Sequence, residues 1–375
     1  MTKIPNRRVL VTRFPFESQF GGEEIHTLAV VEGLYERGVF CAFLGSCPVL
    51  LRAMRERHFE SRRAWLSRPP VTKARLFVFT LLSPLLFLLS GFYLWRAKRQ
   101  WQVDTVYMLG FSEKLLMTPW ALVFGMKVLW LEHARIGRWF TANPWRRVYS
   151  FLSKWVTVLV TSNAMKPVMA KYAKTVVAIS CGVVQANAST LPADLREFMK
   201  GSFVIGSVAR LTLDKGVDML VHLVHSKPDT KLVLVGQGPL RSSLLAKAQA
   251  GKFADRIFIT TLKTRGEMMA FYSSINLFVL PAREFDPFGM AAAEAMWVGT
   301  PVVVTDKCGI AFDLVGADAA VICAPTIAGI DKSIKFLRRH PAEMQAMAMR
   351  GQTLARKKYR LEEMVKKFWE VIISP

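Results

Sequence analysis

Acidic side chains are scarce in this chain: 28 Asp and Glu stand against 51 Lys and Arg, a formal charge of +23 over 375 residues. Such a field attracts polyanions, whether nucleic acid, anionic lipid or phosphorylated substrates. No recognisable nucleic-acid-binding module accompanies the charge, so nucleic acid is set aside as a partner. Cysteine is sparse too. Cys41, Cys47, Cys181, Cys308 and Cys323 form no CxxC, and their number is odd. That excludes a disulfide framework and predicts reduced, mostly buried thiols in a cytosolic compartment. The histidines show no HExxH; His222 and His225, three apart on an expected helix, read as structural. No DxD pair stands near a strand end, so no metal or other cofactor is expected. No apolar leader opens the chain, because Met1–Arg8 run straight into a strand. Repeats and low-complexity tracts are lacking as well.

What is present is apolar: 52% of residues are hydrophobic, enough for two cores. The run 8–12 (RVLVT) reads as a buried strand, followed by Gly21-Gly22, a helix over 24–36 and a strand over 39–44. Further strands are expected at 104–109, 127–131, 157–161 and 175–179. A second series follows at 203–208, 231–235, 256–260, 276–280 and 301–305, with helical stretches between. Alternation of this kind predicts two doubly wound, Rossmann-like α/β domains, at 1–184 and 201–355, joined by a linker at 185–200. Residues 341–373 read as charged amphipathic helices, with a terminal helix over 356–375.

Residues 76–95 carry no charge, and the stretch 51–75 before them holds eight Lys and Arg against two Glu. Twenty residues are long enough to span a bilayer. Against a simple span stand Pro84, expected to break or kink a helix, Gly91, and the strands on either side, which should share one sheet. The expectation is therefore a monotopic in-plane or re-entrant element on an anionic membrane surface, with Leu82, Leu86 and Leu89 facing lipid. The alternative is a buried helix pair packed on the N-terminal sheet.

Chemistry concentrates in Asp286-Pro287-Phe288-Gly289-Met290-Ala291-Ala292-Ala293-Glu294. A carboxylate can accept paired hydrogen bonds from vicinal hydroxyls, and two of them around a helix start suit a ligand with two sugar rings and a diphosphate. Upstream lie 203–220 (FVIGSVARLTLDKGVDML), 231–240 (KLVLVGQGPL) and 277–281 (LFVLP). In this order and spacing, residues 203–305 resemble the retaining glycosyltransferases of family four, with their "GRL…KG" loop, "GxGP" turn and Glu-x7-Glu motif. Gly21-Gly22-Glu23-Glu24 is similar to the family's "GGxE", and His133 ends a strand where the family often places histidine. The likeness spans nearly the whole chain and is weakest over 46–100.

This resemblance implies the GT-B fold, two such domains facing across a cleft, with the terminal helix crossing back to the first. It implies that Arg210 and Lys215 bind a donor diphosphate and that Gly21 and Gly22 admit its close approach. Glu294 would hold the ribose and Asp286 the transferred sugar, beside the N–H groups of Gly289 and Met290, while His133 would contact sugar or acceptor. Two positions depart from the family: Asp286 replaces a Glu, and Thr261 replaces a Gly beside the base pocket. The implied activity is a metal-independent, retaining hexosyl transfer from a nucleotide sugar to a lipid-linked or membrane-proximal glycan, at the inner face of the cell membrane. A soluble acceptor, a sugar-nucleotide epimerase and a catalytically silent membrane-binding subunit stay open as alternatives.

Overall fold

The computed structural model describes residues 7–14, 21–66, 68–133, 138–225, 227, 229–249 and 255–374. The chain divides into two units, Met1–Gly182 together with Leu361–Pro375, and Val183–Arg360.

The first unit is built on seven strands: β1 (Arg8–Arg13), β2 (Phe40–Gly45), β3 (Glu60–Arg63), β4 (Thr105–Met108), β5 (Lys127–Glu132), β6 (Thr157–Val160) and β7 (Thr175–Ala178). Their order is β3-β2-β1-β4-β5-β6-β7, parallel throughout. The second unit has β8 (Phe203–Val208), β9 (Thr230–Val235), β10 (Ile257–Thr260), β11 (Leu277–Leu280), β12 (Val302–Thr305) and β13 (Val321–Cys323), in the order β10-β9-β8-β11-β12-β13, again parallel. Central strands such as β1, β4 and β11 are near-continuous apolar runs, because helices cover both faces of a parallel sheet. Edge strands need no such run. β3 reads ESRR, a charged edge that blocks further pairing, and periodicity alone does not find it. In each sheet the order reverses once, between β1 and β4 and between β8 and β11. Ligands bind such sheets beyond the carboxyl ends of the strands at that reversal.

The uncharged segment forms one continuous helix, Lys73–Trp101, rather than a broken or paired one. Pro84 removes a donor and frees the carbonyl of Thr80, but Ser83 Oγ donates to that oxygen at 2.8 Å, so the helix continues. One side packs on the unit through Phe79, Leu86, Ser90, Gly91 and Leu94. Ser90 Oγ donates to Leu116 O at 3.0 Å, and Trp120 Nε1 donates to Phe87 O at 2.8 Å. The opposite side exposes Phe77, Leu81, Leu85, Leu88, Phe92 and Trp95, between 46% and 70% accessible. Leu86 therefore faces the core and not the outer stripe as expected; the phase is set by the small residues Ser90 and Gly91, which let the helix approach Trp120.

Helix Leu361–Ile373 lies in the first unit against helix Gly22–Tyr35. Val365 occupies the space beside Gly33, and the Phe368 ring lies 5.8 Å from His26 and 5.5 Å from Tyr107. Helix Ala193–Met199 stands within the stretch that composition marks as a linker. Among the described residues no disulfide forms; four thiols are buried and Cys323 is half-buried.

Candidate active site

In the second unit, the loop after β8 carries Arg210 and ends in a short 3-10 turn, Leu213–Lys215. Gly216 follows at φ +66°, where a Cβ would lie 2.1 Å from Pro281 O; only glycine lets this loop sit against the end of β11. The contact is tightened by Arg283 and Glu284, whose N–H groups both donate to Asp214 O, and by a forked Arg283–Asp218 pair at 3.2 and 2.9 Å. Docked in this way, Lys215 Nζ donates to Asp286 Oδ2 at 2.6 Å, joining two residues 71 apart in sequence. Both side chains are about 15% accessible, Lys215 at 14% and Asp286 at 15%. Asp286 Oδ1 accepts from the Phe288 N–H at 3.1 Å, which fixes the carboxylate at the start of the following helix.

That helix is Met290–Trp297, entered through Gly289 at φ +97°. First-turn N–H groups of a helix lack intrahelical acceptors. Those of Gly289 and Met290 have no backbone acceptor among the described residues and stand beside Asp286. Cys308, close to the same acid, is no competitor for its role: burial, then the Asp286 charge, push its thiol up to about 12. Arg210 is exposed, and among the described residues no carboxylate pairs with it.

Glu294 is deeper, at 5% accessibility. Its Oε1 lies 2.8 Å from an Arg265 guanidinium nitrogen, and its Oε2 accepts from Tyr272 OH at 2.8 Å. Arg265 also donates to Val184 O at 2.9 Å. Neither Arg265 nor Tyr272 is assigned a role from sequence. Their signal lies in the capping box Thr264–Glu267, which fixes the start of helix Arg265–Ser274 and so turns both side chains toward Glu294. Burial and the neighbouring Glu294 charge raise Tyr272 well above the usual tyrosine range, so it remains a donor.

The remaining candidates belong to the first unit. Gly21 N donates to Glu24 Oε2 at 3.0 Å, and Gly22 opens the helix. Glu23, next in the same motif, is paired with Arg13 at the end of β1 at 2.8 Å. His133 follows β5. It lines a cavity of about 190 Å³ at the β1–β4 reversal together with Arg13, Glu23, Ser112, Lys114 and Tyr149. The floor is a buried network: Lys114 Nζ donates to Glu132 at 2.6 Å, and Tyr149 OH donates to the same oxygen at 2.8 Å. Among the described residues, Ser112 Oγ and His133 Nε2 of this lining have no hydrogen-bond partner. Burial, then the charges of Arg13 and Lys114, depress His133 to about 3, so its ring is neutral at physiological pH. Sequence does not single out Lys114, Glu132 and Tyr149, because one polar residue in each of two helices and a strand carries no pattern. Among the described residues no group of three His, Cys, Asp or Glu could hold a metal ion.

Residues 195–353 match the family described as glycosyl transferases group 1. Among curated relatives, a glycogen synthase of Mycobacterium tuberculosis (strain H37Rv) is 28% identical over 146 residues, 38% of this chain and 35% of that one. A 2-deoxystreptamine glucosyltransferase of Streptomyces kanamyceticus is 26% identical over 176 residues, 44% of this chain and 45% of that one. The chain thus spans less than half the length of these relatives. Over almost its whole length it shares the fold of HepE from Anabaena, solved in complex with UDP: TM-score 0.79, 15% identity, covering 98% of this chain and 99% of that one. The chain therefore has the two-domain α/β fold of the GT-B glycosyltransferases, and within it residues 195–353 are similar to the glycosyl transferases group 1 family.

Proposed function

We propose that this protein transfers a hexose from a nucleoside-diphosphate sugar to a lipid-linked or membrane-proximal glycan, retaining the anomeric configuration and needing no metal. The observation that carries this reading is the Lys215–Asp286 pair, held at the β8–β11 reversal beside the open helix start at Gly289. As the bond from the anomeric carbon to the diphosphate breaks, negative charge grows on the leaving oxygens. In this reading Arg210, Lys215 and the N–H groups of Gly289 and Met290 stabilise it as fixed charges and dipoles. Asp286 accepts from hydroxyls of the sugar, and Glu294, oriented by Arg265 and Tyr272, from those of the ribose. HepE, with the same fold, has been solved with UDP-glucose, which supports a uridine donor as the first to try. The cavity at His133 serves the acceptor, whose hydroxyls satisfy Ser112 Oγ and His133 Nε2.

The helix Lys73–Trp101 is read as the membrane contact. By length and composition it could cross a bilayer. Yet β3 before it and β4 after it belong to one sheet, and a single crossing would separate them. It lies instead in the interface, its outer stripe inserted on the cytoplasmic side. Each Leu or Phe removed from water there contributes about 1.5–3 kcal/mol. The test of the activity is a thermal-shift screen of nucleoside diphosphates and their sugars. A ligand at about 100 times its Kd should stabilise the fold by about 2.7 kcal/mol. NMR of the product linkage and an assay in EDTA follow. No stabilisation by any nucleotide, or an inverted linkage, would refute the proposal.

A further inference from the structure

A second basic site lies on the first unit, lined by none of the residues that line the cavity at His133. Helix Arg146–Leu152 and the 3-10 turn Ser153–Trp155 place Arg146, Arg147 and Lys154 around an open pocket of about 500 Å³, together with Ser150, Phe151 and Tyr172. Among the described residues, no carboxylate pairs with any of the three cations. Three cations gathered without a counter-charge repel one another, which a protein tolerates where an anion binds. Exposed aromatic side chains interleave with them: Phe151 is 59% accessible and Trp155 65%. A basic pocket lined by Phe151 and Tyr172, with the exposed Trp155 next in sequence to Lys154, matches the headgroup level of a bilayer, where aromatic rings rest between water and acyl chains.

The position of this pocket gives its occupant. Trp145, the residue before Arg146, donates through Nε1 to Thr80 Oγ1 at 3.0 Å, and its ring meets Phe79 edge-on at 5.2 Å. Asn143 Nδ2 donates to Pro70 O at 2.7 Å. The Trp145 contacts tie the start of the basic helix to the first turns of helix Lys73–Trp101, next to the exposed Phe77 and Leu81, and the Asn143 bond ties it to the segment leading into that helix. Cations and apolar stripe are thus tied to each other within one unit, through a buried Asn143 bond and the packing of Trp145 on Phe79. We propose that Arg146, Arg147 and Lys154 form a headgroup site for an anionic phospholipid, which orients the enzyme once the stripe has inserted. The proposal rests on the interfacial reading of helix Lys73–Trp101.

Vesicle flotation separates the two. Wild-type protein should bind vesicles of phosphatidylcholine with phosphatidylglycerol more tightly than phosphatidylcholine alone. The variant R146Q/R147Q/K154Q should lose that preference, with partitioning weakened on the order of 100-fold, since each basic residue near the surface contributes about 1 kcal/mol. Its residual binding to phosphatidylcholine and its thermal shift with UDP should match wild type. A control, K332Q/R339Q/K357Q, removes the same charge from exposed positions of the other unit and should keep the preference. Equal loss in the control would assign the effect to overall charge and overturn the site. Undiminished binding by R146Q/R147Q/K154Q, or competition by soluble glycerol phosphate as effective as that by vesicles, would also overturn it. Equal wild-type binding to both vesicle types would remove the headgroup site and leave the stripe. Binding to neither would remove both.

Discussion

Asp286 and Glu294 differ in what already holds them, and that difference predicts how each responds to neutralisation. Glu294 has both oxygens committed, one to Arg265 and one to Tyr272. Glu294→Gln breaks the charged contact and disturbs the ribose site, so UDP affinity should fall about 10- to 150-fold, the cost of a charge-assisted contact. Asp286→Asn instead releases Lys215 from its pair. Nucleotide affinity should hold or rise while kcat falls. Isothermal titration and steady-state rates on both variants decide the matter; the opposite pattern would exchange the two roles. A third test at this scale uses acid. His133 titrates near 3 in the fold against an ordinary 6.5, and burial depresses the adjacent His26 too. The unfolded chain therefore binds protons that the fold refuses, so stability is complete above about pH 6.5 and declines as pH falls toward 3. From His133 alone the loss by pH 5 is about 2 kcal/mol. His133→Asn should flatten the fall in melting temperature between pH 7 and pH 5; an unchanged slope would show that the ring does not carry it.

At the scale of elements, helix Lys73–Trp101 has two faces with opposite tolerances. A Cβ added at Gly91 would stand 2.6 Å from the Trp120 ring. That ring cannot yield easily, because it stacks on Phe87 at 4.8 Å and its Nε1 is bonded to Phe87 O. Alanine improves helix propensity by about 1 kcal/mol over glycine. Overpacking costs about 1–3 kcal/mol, so Gly91→Ala should lower the urea midpoint despite the better propensity. On the outer face, Leu81→Ser, Leu85→Ser and Leu88→Ser touch no core and should each stay within about 0.5 kcal/mol of wild type. Combined, they should abolish flotation with vesicles. If that triple variant unfolds instead, the stripe is core and the interfacial reading fails. Composition disclosed the helix and its basic flanks. It did not disclose the phase, because a segment apolar all round has no preferred side until small residues and a neighbouring tryptophan choose one.

For the whole molecule, the return of residues 361–375 to the first unit makes the two halves unequal. Phe368, Val365 and Ile372 are buried there against helix Gly22–Tyr35 and its surroundings. Deleting 361–375 should strip that cover and destabilise the first unit. The fragment 183–360 holds Arg210, Lys215, Asp286, Arg265 and Glu294 in one compact body. It should fold alone and bind UDP, with a cooperative melt by circular dichroism and a measurable heat in titration. A fragment that stays unfolded would show that the second core depends on the first.

The sequence by itself determined the strands that are buried on both faces, since a parallel strand covered on both sides must be an unbroken apolar run. It also determined the loop glycines and the acid pair around Gly289, whose spacing is local and survives without tertiary contacts. Tertiary structure alone decided the rest. Lys215 meets Asp286 only because Gly216 allows one loop to rest on another, and Glu294 finds Arg265 and Tyr272 only once two helices have packed. The network of Lys114, Glu132 and Tyr149 is assembled from three separate elements that converge at a sheet reversal. Partners of this kind are chosen by proximity in space, and a one-dimensional pattern carries no distance between residues far apart along the chain.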